Sequence, residues 1–250
     1  IKYLVSLGAN VTARDKNSRE WLGEKYTECE RLGVKCILGG DYLDNITDDI
    51  IFKTPGLRFD VPELVKAREN VAIVTSEMET FFEVCPSHII AVTGSDGKTT
   101  TTTLIHKIMT KAGYKTWLGG NIGTPLLADT DKMSENDWVI LELSSFQLHT
   151  MKKSPEIGVI TNLSPNHLDW HKDYAEYIEA KTNIFTHMSR ENTIVLNADN
   201  ADCAALLPLA HEKVVMFARK KKATVWLDGD IIRYGSEEIL NINHIKIPGM

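Results

Sequence analysis

The segment "HIIAVTGSDGKTTTTTLIHKI", residues 88–108, constrains the fold of this chain more than any other. The apolar run "HIIAV" predicts a buried strand, and the residues from Lys98 onward predict a helix. A glycine-containing turn between such elements directs backbone N–H groups and the helix N-terminus at an anion. Gly94 and Gly97 let the backbone approach phosphate oxygens because they carry no Cβ. The segment therefore predicts a phosphate-binding loop in an α/β fold.

Two side chains of this loop suit phosphate chemistry. Lys98 can reach the terminal phosphates of a nucleotide, and the hydroxyl of Thr99 can bind Mg²⁺. The common pattern, G-x-x-x-x-G-K-[ST], has a glycine where this chain has Val92. A plain strand–turn–helix connection with an exposed lysine is the alternative. The register of strand, glycines, lysine and threonines favours the phosphate loop.

A second acidic ligand is predicted at the end of a neighbouring strand. Val139–Leu141 form an apolar run, and Glu142 follows at its C-terminal end, where open α/β sheets bind ligands. An ordinary surface charge is the alternative. An unpaired buried carboxylate is costly, and a metal ion would offset that cost, so we favour a ligand role.

Two further polar segments are ambiguous from their residues alone. "TNLSPNHLDWH" follows a predicted strand and carries His167, Asp169 and His171. "GGNIGTP", residues 119–125, follows another predicted strand. Solvated histidines in a polar loop and an ordinary turn are the simpler interpretations of these two segments.

Short apolar runs alternate with helical patterns along the chain, which predicts two domains, each with one mainly parallel sheet and helical crossovers. Strands are predicted at 10–15, 34–38, 49–54, 71–75, 88–94, 115–120, 137–144, 156–163, 192–198 and 213–218. Helices are predicted at 19–33, 61–69, 98–112, 174–188 and 201–209. Pro86 disfavours a continuing helix, so we divide the chain into domains 1–86 and 87–250. Asp228-Gly229 predicts a small β-hairpin appendage near 224–247.

Composition excludes several classes of protein. The 250 residues are 43% hydrophobic, enough for one or two globular domains with a core. No apolar run reaches the roughly 20 residues of a membrane-spanning helix. The net charge of -6 argues against broad attraction to nucleic acid or anionic lipid. The four cysteines form no C-x-x-C pair, so we expect reduced thiols in a cytoplasmic protein.

Six segments, in this order, resemble the Mur ligases of peptidoglycan synthesis: "TGSDGKTTTT", "GGNIGTPL", "ELSSFQL", "TNLSPNHLDWH", "EYIEAKTNIF" and "LNADN". The short phosphate loop is the form that these ATP-dependent amide ligases share with folylpolyglutamate synthases. "ELSSFQL" is most similar to the D-glutamate-adding members. The resemblance implies an N-terminal Rossmann-like domain for UDP, a central P-loop ATPase-type domain and a C-terminal domain for D-glutamate. Against that pattern we expect an incomplete first domain, a truncated central domain, no C-terminal domain, and no activity from the chain alone.

The resemblance also implies substrates and site residues. The reaction would join D-glutamate to UDP-N-acetylmuramoyl-L-alanine, using ATP and two Mg²⁺ ions, through an acyl phosphate. The ATP-binding residues would be Gly94, Ser95, Asp96, Gly97, Lys98, Thr99 and Thr100. The catalytic residues would be Lys98, Glu142, His167 and Lys181, with Thr99 and Glu142 holding one metal ion and His167 and Lys181 at the second. Asn121 would contact the muramoyl portion, and Asp15 and Gly56 would contact UDP.

Lys181 lies in a helical pattern, where a solvated lysine is the simpler interpretation. An ammonium beside Mg²⁺ would be repelled, so an unmodified lysine is a poor partner for His167 there. The resemblance implies that the amine reacts with CO₂ to form a carbamate, an oxygen-donor anion of the type that Mg²⁺ prefers. This reaction needs a neutral amine, and a neighbouring cation lowers the pKa of a lysine in that direction.

Two other functions stay open. Another Mur ligase or a folylpolyglutamate synthase-like ligase would share the loop, but "ELSSFQL" argues against both. An ATP-binding switch module would use ATP without forming an amide, and it gives no reason for His167 and Lys181 beyond the loop. We expect a monomer with no nucleic-acid or membrane partner.

Overall fold

The computed structural model describes residues 1–246 and confirms the predicted mixed α/β class. None of the helices in this described part is at once long and apolar enough to cross a membrane. The chain divides into two compact units, of which the first holds Ile1–Glu83 and Leu126–Asp131 and the second holds the remaining described residues. The backbone N–H of Leu127 donates to Glu77 Oε1 at 3.3 Å, which ties the later segment to the first unit.

The first unit contains short parallel strands and their helices. Its strands are β1 (Thr12–Asp15), β2 (Lys35–Leu38), β3 (Ile50–Phe52) and β4 (Ile73–Thr75), and its helices are α1 (Lys2–Ser6), α2 (Arg19–Leu22), α3 (Glu24–Arg31), α4 (Pro62–Glu69) and α5 (Glu77–Val84). β1 pairs with β2 and β3 with β4, and no strand within residues 1–83 joins the two pairs. The single sheet expected from the alternation is therefore wrong for this unit. The helix predicted at 19–33 is interrupted at Gly23, whose φ of 51° ends α2.

The second unit is built on one large sheet. Its strands are β5 (His88–Thr93), β6 (Thr116–Gly120), β7 (Trp138–Glu142), β8 (Ile157–Ile160), β9 (Thr193–Asn197), β10 (Lys213–Ala218), β11 (Val225–Asp228), β12 (Ile231–Tyr234) and β13 (Glu237–Asn241), and its helices are α6 (Lys98–Lys111), α7 (Ser145–Leu148), α8 (Tyr174–Thr182) and α9 (Ala201–Ala205). The strand order is β13-β12-β11-β10-β9-β8-β5-β7-β6. β5 lies between β7 and β8, so the strand order reverses there, which is where such sheets bind ligands.

The central strands are the most apolar because both of their faces are covered. Ala91 and Val92 of β5 and residues 139–141 of β7 are fully buried. A parallel sheet covered on both faces reads as continuous hydrophobic runs, which explains why these strands were predictable. The buried strands hold the loop after β5 and the end of β7 on a rigid support.

Three predicted elements of this unit differ from the structure. The helix predicted at 201–209 ends at Ala205, and a 3₁₀ turn follows at Leu207–Leu209. The helix predicted at 174–188 ends at Thr182, and the side chain of Asn183 donates to the carbonyl oxygen of Leu148 at 2.9 Å. The hairpin at Asp228-Gly229 forms, but β11 also pairs in parallel with β10, so the hairpin extends the main sheet and is not a separate appendage. Residue 247, the last of the predicted hairpin, lies outside the described residues.

The close approach of Gly120 to the backbone of β7 predicts a measurable effect on the free energy of unfolding. Gly120 ends β6 at φ 92°, and a Cβ there would overlap the carbonyl oxygen of Glu142. Gly113 has nearly the same φ, 95°, with open space around a Cβ. We expect Gly113→Ala to lower the free energy of unfolding by about 1 kcal/mol, from backbone strain alone. Gly120→Ala should lower it by about 3 kcal/mol, since overlap adds to the strain.

Urea unfolding of both variants measures this difference. Equal losses in the two variants would mean that the contact with Glu142 relaxes at no cost, contrary to the expectation.

Candidate active site at the carboxyl ends of the parallel strands

The glycine-rich loop after β5 is held by the end of β8. Gly94 has φ 147°, and a Cβ there would overlap Thr161 Oγ1. Thr161 Oγ1 donates to the carbonyl oxygen of Asp96 at 2.6 Å. The side-chain oxygen of Asn162 accepts from the backbone N–H of Asp96 at 2.9 Å. The backbone carbonyl of Asn162 accepts from the backbone N–H of Ser95 at 2.9 Å. The loop conformation is therefore fixed by the neighbouring strand as well as by its own glycines.

Lys98 begins α6 immediately after Gly97, which is left-handed at φ 78°. Its Nζ donates to the carbonyl oxygens of Gly94 and Ser95, both at 2.9 Å. The ammonium group thus lies over the loop, next to the N-terminus of a helix of 14 residues. The ammonium of Lys98 and the positive end of the helix dipole both attract negative charge, so the geometry favours an anion beside the loop.

Glu142 brings two other predicted residues together. Its side chain is 2% exposed, at the end of β7. Oε2 accepts from Thr99 Oγ1 at 2.6 Å, and Oε1 accepts from Asn121 Nδ2 at 2.9 Å. A buried carboxylate and a hydroxyl in contact are hard oxygen donors, the type that Mg²⁺ binds. An ordinary surface charge is therefore the wrong interpretation of Glu142.

Lys181 is buried, being 2% exposed, so the interpretation as a solvated lysine is wrong. Its Nζ donates to the carbonyl oxygen of Gly94 at 2.9 Å and to Thr93 Oγ1 at 3.2 Å. The amine also lies 4.7 Å from the ring centre of Tyr177. Burial, and after it the ammonium of Lys98, lowers the pKa of Lys181 to about 7. A large fraction of this amine is consequently neutral near physiological pH.

The histidines of "HLDWH" have different environments. His167 is exposed, and its backbone is left-handed, with φ 54°. Its ring centre lies 4.9 Å from that of Phe146. None of its described polar or ring contacts is with Lys181. Asp169 is exposed, whereas His171 is 2% exposed, so the solvated interpretation is wrong for His171.

Two predicted substrate residues lie in the first unit. Asp15 ends β1, and its Oδ1 accepts from the backbone N–H and the side-chain amide of Asn17, both at 2.8 Å. Gly56 is exposed in the turn after β3. Asp15 therefore lies at the C-terminal end of a parallel strand, and Gly56 follows the C-terminal end of another.

The sequence reasoning missed the residues that support the loop. Tyr177 OH lies 2.8 Å from Ser95 Oγ, and Ser95 Oγ donates to the carbonyl oxygen of Ser164 at 3.0 Å. Thr161 and Asn162 were missed too, although they directly follow the apolar run of β8 as Glu142 follows that of β7. Their position directly after a buried strand is the sequence signal that could have identified Thr161 and Asn162.

A glycine-rich loop at the switch point of a parallel sheet, with a lysine and a threonine opening the next helix, defines an α/β protein of the phosphate-loop class. The profile of the family described as Mur ligase middle domain matches residues 92–248, more than half of the chain. The chain therefore belongs to the Mur ligase family.

Curated relatives and solved structures agree with this family. The chain is 50% identical, over 253 residues, to the UDP-N-acetylmuramoylalanine--D-glutamate ligase of Clostridium novyi, covering 100% of this chain and 55% of the relative. The protein of that name from Ruminiclostridium cellulolyticum is 51% identical over 257 residues, with the same coverage. The chain thus spans about half the length of the curated relatives it matches.

Solved Mur ligases share the fold. The structure of UDP-N-acetylmuramate-alanine ligase from Thermotoga maritima is 25% identical, with a TM-score of 0.52, over 91% of this chain and 50% of that one. UDP-N-acetylmuramate:L-alanyl-gamma-D-glutamyl-meso-diaminopimelate ligase from Neisseria meningitides has a TM-score of 0.60 at 18% identity, over 94% of this chain and 79% of that one. The second likeness concerns the fold alone.

Proposed function

We propose that this chain supplies the ATP-binding part and much of the UDP-substrate part of a D-glutamate-adding Mur ligase. The observation that carries the proposal is the cluster of Lys98, Thr99, Glu142 and Asn121 at the switch point of the sheet. Full-chain relatives carrying the name of that ligase support the choice of substrates. D-Glutamate, UDP-N-acetylmuramoyl-L-alanine and ATP are then the substrates, and the pathway is peptidoglycan synthesis.

The reaction forms an amide in two steps. The carboxylate oxygen of the L-alanine attacks the γ-phosphorus of ATP, ADP leaves, and an acyl phosphate forms. The amine of D-glutamate then attacks the acyl carbon, loses a proton, and inorganic phosphate leaves. Phosphorylation is needed because a free carboxylate would have to expel oxide. The task of the protein is mostly to position the reactants and to stabilise charge on the transferring phosphoryl group.

The loop residues 94–100 bind the phosphates of ATP in this proposal. Backbone N–H groups at the start of α6 and the Lys98 ammonium neutralise phosphate charge. Thr99 and Glu142 would hold one Mg²⁺, which would supply further charge stabilisation. Their fit to a metal ion rests on the direct contact between the hydroxyl and the buried carboxylate.

Lys181 carries a carbamate in this proposal. The neutral amine forms an N–C bond to CO₂, a C=O electron pair moves to oxygen, and one proton is released. Burial and the lowered pKa support the reaction, because they make the neutral amine available. The carbamate N–H keeps one donor, so one of the two hydrogen bonds to Gly94 and Thr93 is given up. The carbamate oxygens and His167 would hold the second Mg²⁺, which would add charge stabilisation for the phosphoryl group.

The remaining substrate contacts stay with the residues named from the sequence. Asn121 contacts the muramoyl portion, and its hydrogen bond to Glu142 joins that contact to the metal-binding carboxylate. Asp15 and Gly56 contact UDP in the first unit. A cytoplasmic location and a monomeric state remain predictions.

Phosphate release from ATP by the full-length protein tests this function. Release should require both UDP-N-acetylmuramoyl-L-alanine and D-glutamate, and L-glutamate should not replace D-glutamate. A switch module would hydrolyse ATP without the nucleotide sugar. Activity with UDP-N-acetylmuramate and L-alanine, or with a folate and glutamate, would assign the protein to another ligase of this kind.

A further inference from the structure

Three potential metal ligands that the proposed reaction does not use meet between α7 and α8. They are His149, directly after α7, His171 in the loop before α8, and Glu176 in the first turn of α8. His149 Nε2 lies 3.5 Å from Glu176 Oε1, and His171 Nδ1 lies 3.5 Å from Glu176 Oε2. One ligand atom from each residue lies within 4.8 Å of the others. We propose that this His–Glu–His cluster binds a divalent transition-metal ion, best matched by Zn²⁺.

The distances suit a small tetrahedral ion. Zn²⁺ binds nitrogen and oxygen at about 2.0–2.2 Å, so two ligand atoms of a tetrahedral site lie roughly 3.4 Å apart. Each histidine nitrogen lies 3.5 Å from one of the two oxygens of the Glu176 carboxylate, which is close to that separation. The three ligand atoms lie within 4.8 Å of one another, so an ion would draw them closer together on binding. Two imidazoles and one carboxylate also favour Zn²⁺ or Co²⁺ over Mg²⁺, which prefers oxygen ligands and water.

The surroundings hold these ligands in place. His171 Nε2 lies 2.9 Å from the hydroxyl of Ser145, which is buried, so the other ring nitrogen is turned toward Glu176. An oxygen partner on the far nitrogen is the usual way in which a metal-binding histidine is oriented. The ring of His149 packs edge-on against Trp170, with ring centres 5.2 Å apart.

Charge and burial also favour a cation. The side chains of His149, His171 and Glu176 are 8%, 0% and 15% exposed. A carboxylate with so little exposure is stabilised by a bound dication. Lys172 is one competing cation, with Nζ 3.8 Å from Glu176 Oε1, but its side chain is 70% exposed and can turn into solvent. The pair between Lys172 and Glu176 is therefore a weak surface pair that a bound ion can replace.

An ion in this cluster would join the end of α7 to the start of α8, the helix that carries Lys181. Because the ligands come together only in the folded chain, binding should stabilise the fold by mass action. The fourth position is left to water, since three protein ligands are in place.

Metal titration of the chelator-treated protein tests the proposal, with Co²⁺ as a visible probe and Zn²⁺ as competitor. We expect one tetrahedral Co²⁺ site per chain, displaced by Zn²⁺, and a higher thermal midpoint with Zn²⁺. His149→Ala and Glu176→Gln should each weaken binding by at least about tenfold. His187→Ala, an exposed histidine, is the matched control and should bind normally. His167→Ala should also bind normally, which separates this cluster from the proposed Mg²⁺ site.

Three results would overturn the proposal: no Co²⁺ or Zn²⁺ binding by the unsubstituted protein, unchanged binding after both cluster substitutions, or loss of binding in His167→Ala alone. X-ray absorption of the Zn²⁺-loaded unsubstituted protein gives a second measurement that needs no folded variant. It should show two imidazole ligands with nitrogen and oxygen at about 2.0–2.2 Å. A spectrum without imidazole would contradict the assignment.

Discussion

Replacing Lys98 by alanine is expected to lower the rate of amide formation by the full-length protein about a thousand-fold or more. The ammonium lies over the loop, where the transferring phosphoryl group carries its charge in the proposed reaction. The free energy of unfolding should change by about 1 kcal/mol or less. The carbonyl oxygen of Gly94 still accepts a hydrogen bond from Lys181, so the substitution does not leave this carbonyl without a partner.

Lys107→Ala is the matched control for Lys98→Ala. Lys107 lies on the same helix, α6, and is exposed, so its loss should leave both turnover and unfolding unchanged. Coupled phosphate-release assays and urea unfolding measure the two quantities side by side. Turnover by Lys98→Ala near the unsubstituted level would refute the assignment of this lysine to phosphoryl transfer.

Replacing Lys181 by alanine is expected to lower turnover about a hundred-fold or more, for a different reason. The variant loses the carbamate oxygens that hold the second Mg²⁺ in the proposal. It also loses a buried side chain, and truncations of that kind cost about 2–5 kcal/mol. Unfolding must therefore be measured, and activity compared well below the unfolding transition.

Chemical rescue separates the carbamate from simple packing. Formate or acetate should restore roughly a tenth of the lost activity of Lys181→Ala, because a small carboxylate can replace the carbamate oxygens in the cavity. Chloride at equal ionic strength should not, and neither salt should rescue Lys98→Ala. If Lys181→Ala keeps full activity, or if chloride rescues as well as formate, Lys181 carries no carbamate that the reaction uses.

Local sequence was sufficient for the strand–loop–helix segment at 88–111. A buried parallel strand reads as a continuous apolar run, and the glycines after it leave few conformations for the turn. The same rule identified Glu142, because an acid at the end of such a run lies at the ligand-binding edge of the sheet. Order and spacing of the six motifs then identified the family, which the whole-chain relatives confirm.

Element ends and sheet partners were less predictable. Periodicity gave one helix at 19–33, but Gly23 takes a positive φ that divides it. Alternation predicted a single sheet in the first unit, yet alternation states only that strands are parallel, not which strands pair. The turn residues Asp228-Gly229 were sufficient to predict the hairpin. Its pairing with β10 depends on contacts between separate strands, which the turn does not specify.

By itself, then, the sequence determined the fold class, the strand–loop–helix segment after β5, the acid at the end of β7 and the family, because each depends on patterns that are read along the chain without knowing which strands pair. Only the tertiary structure decided that Lys181 is buried against Thr93 and Gly94, which lie 88 and 87 residues away along the chain. It also decided that His149 and His171 meet at Glu176. Burial and distance depend on strand order and helix packing, which bring together positions that no local pattern connects.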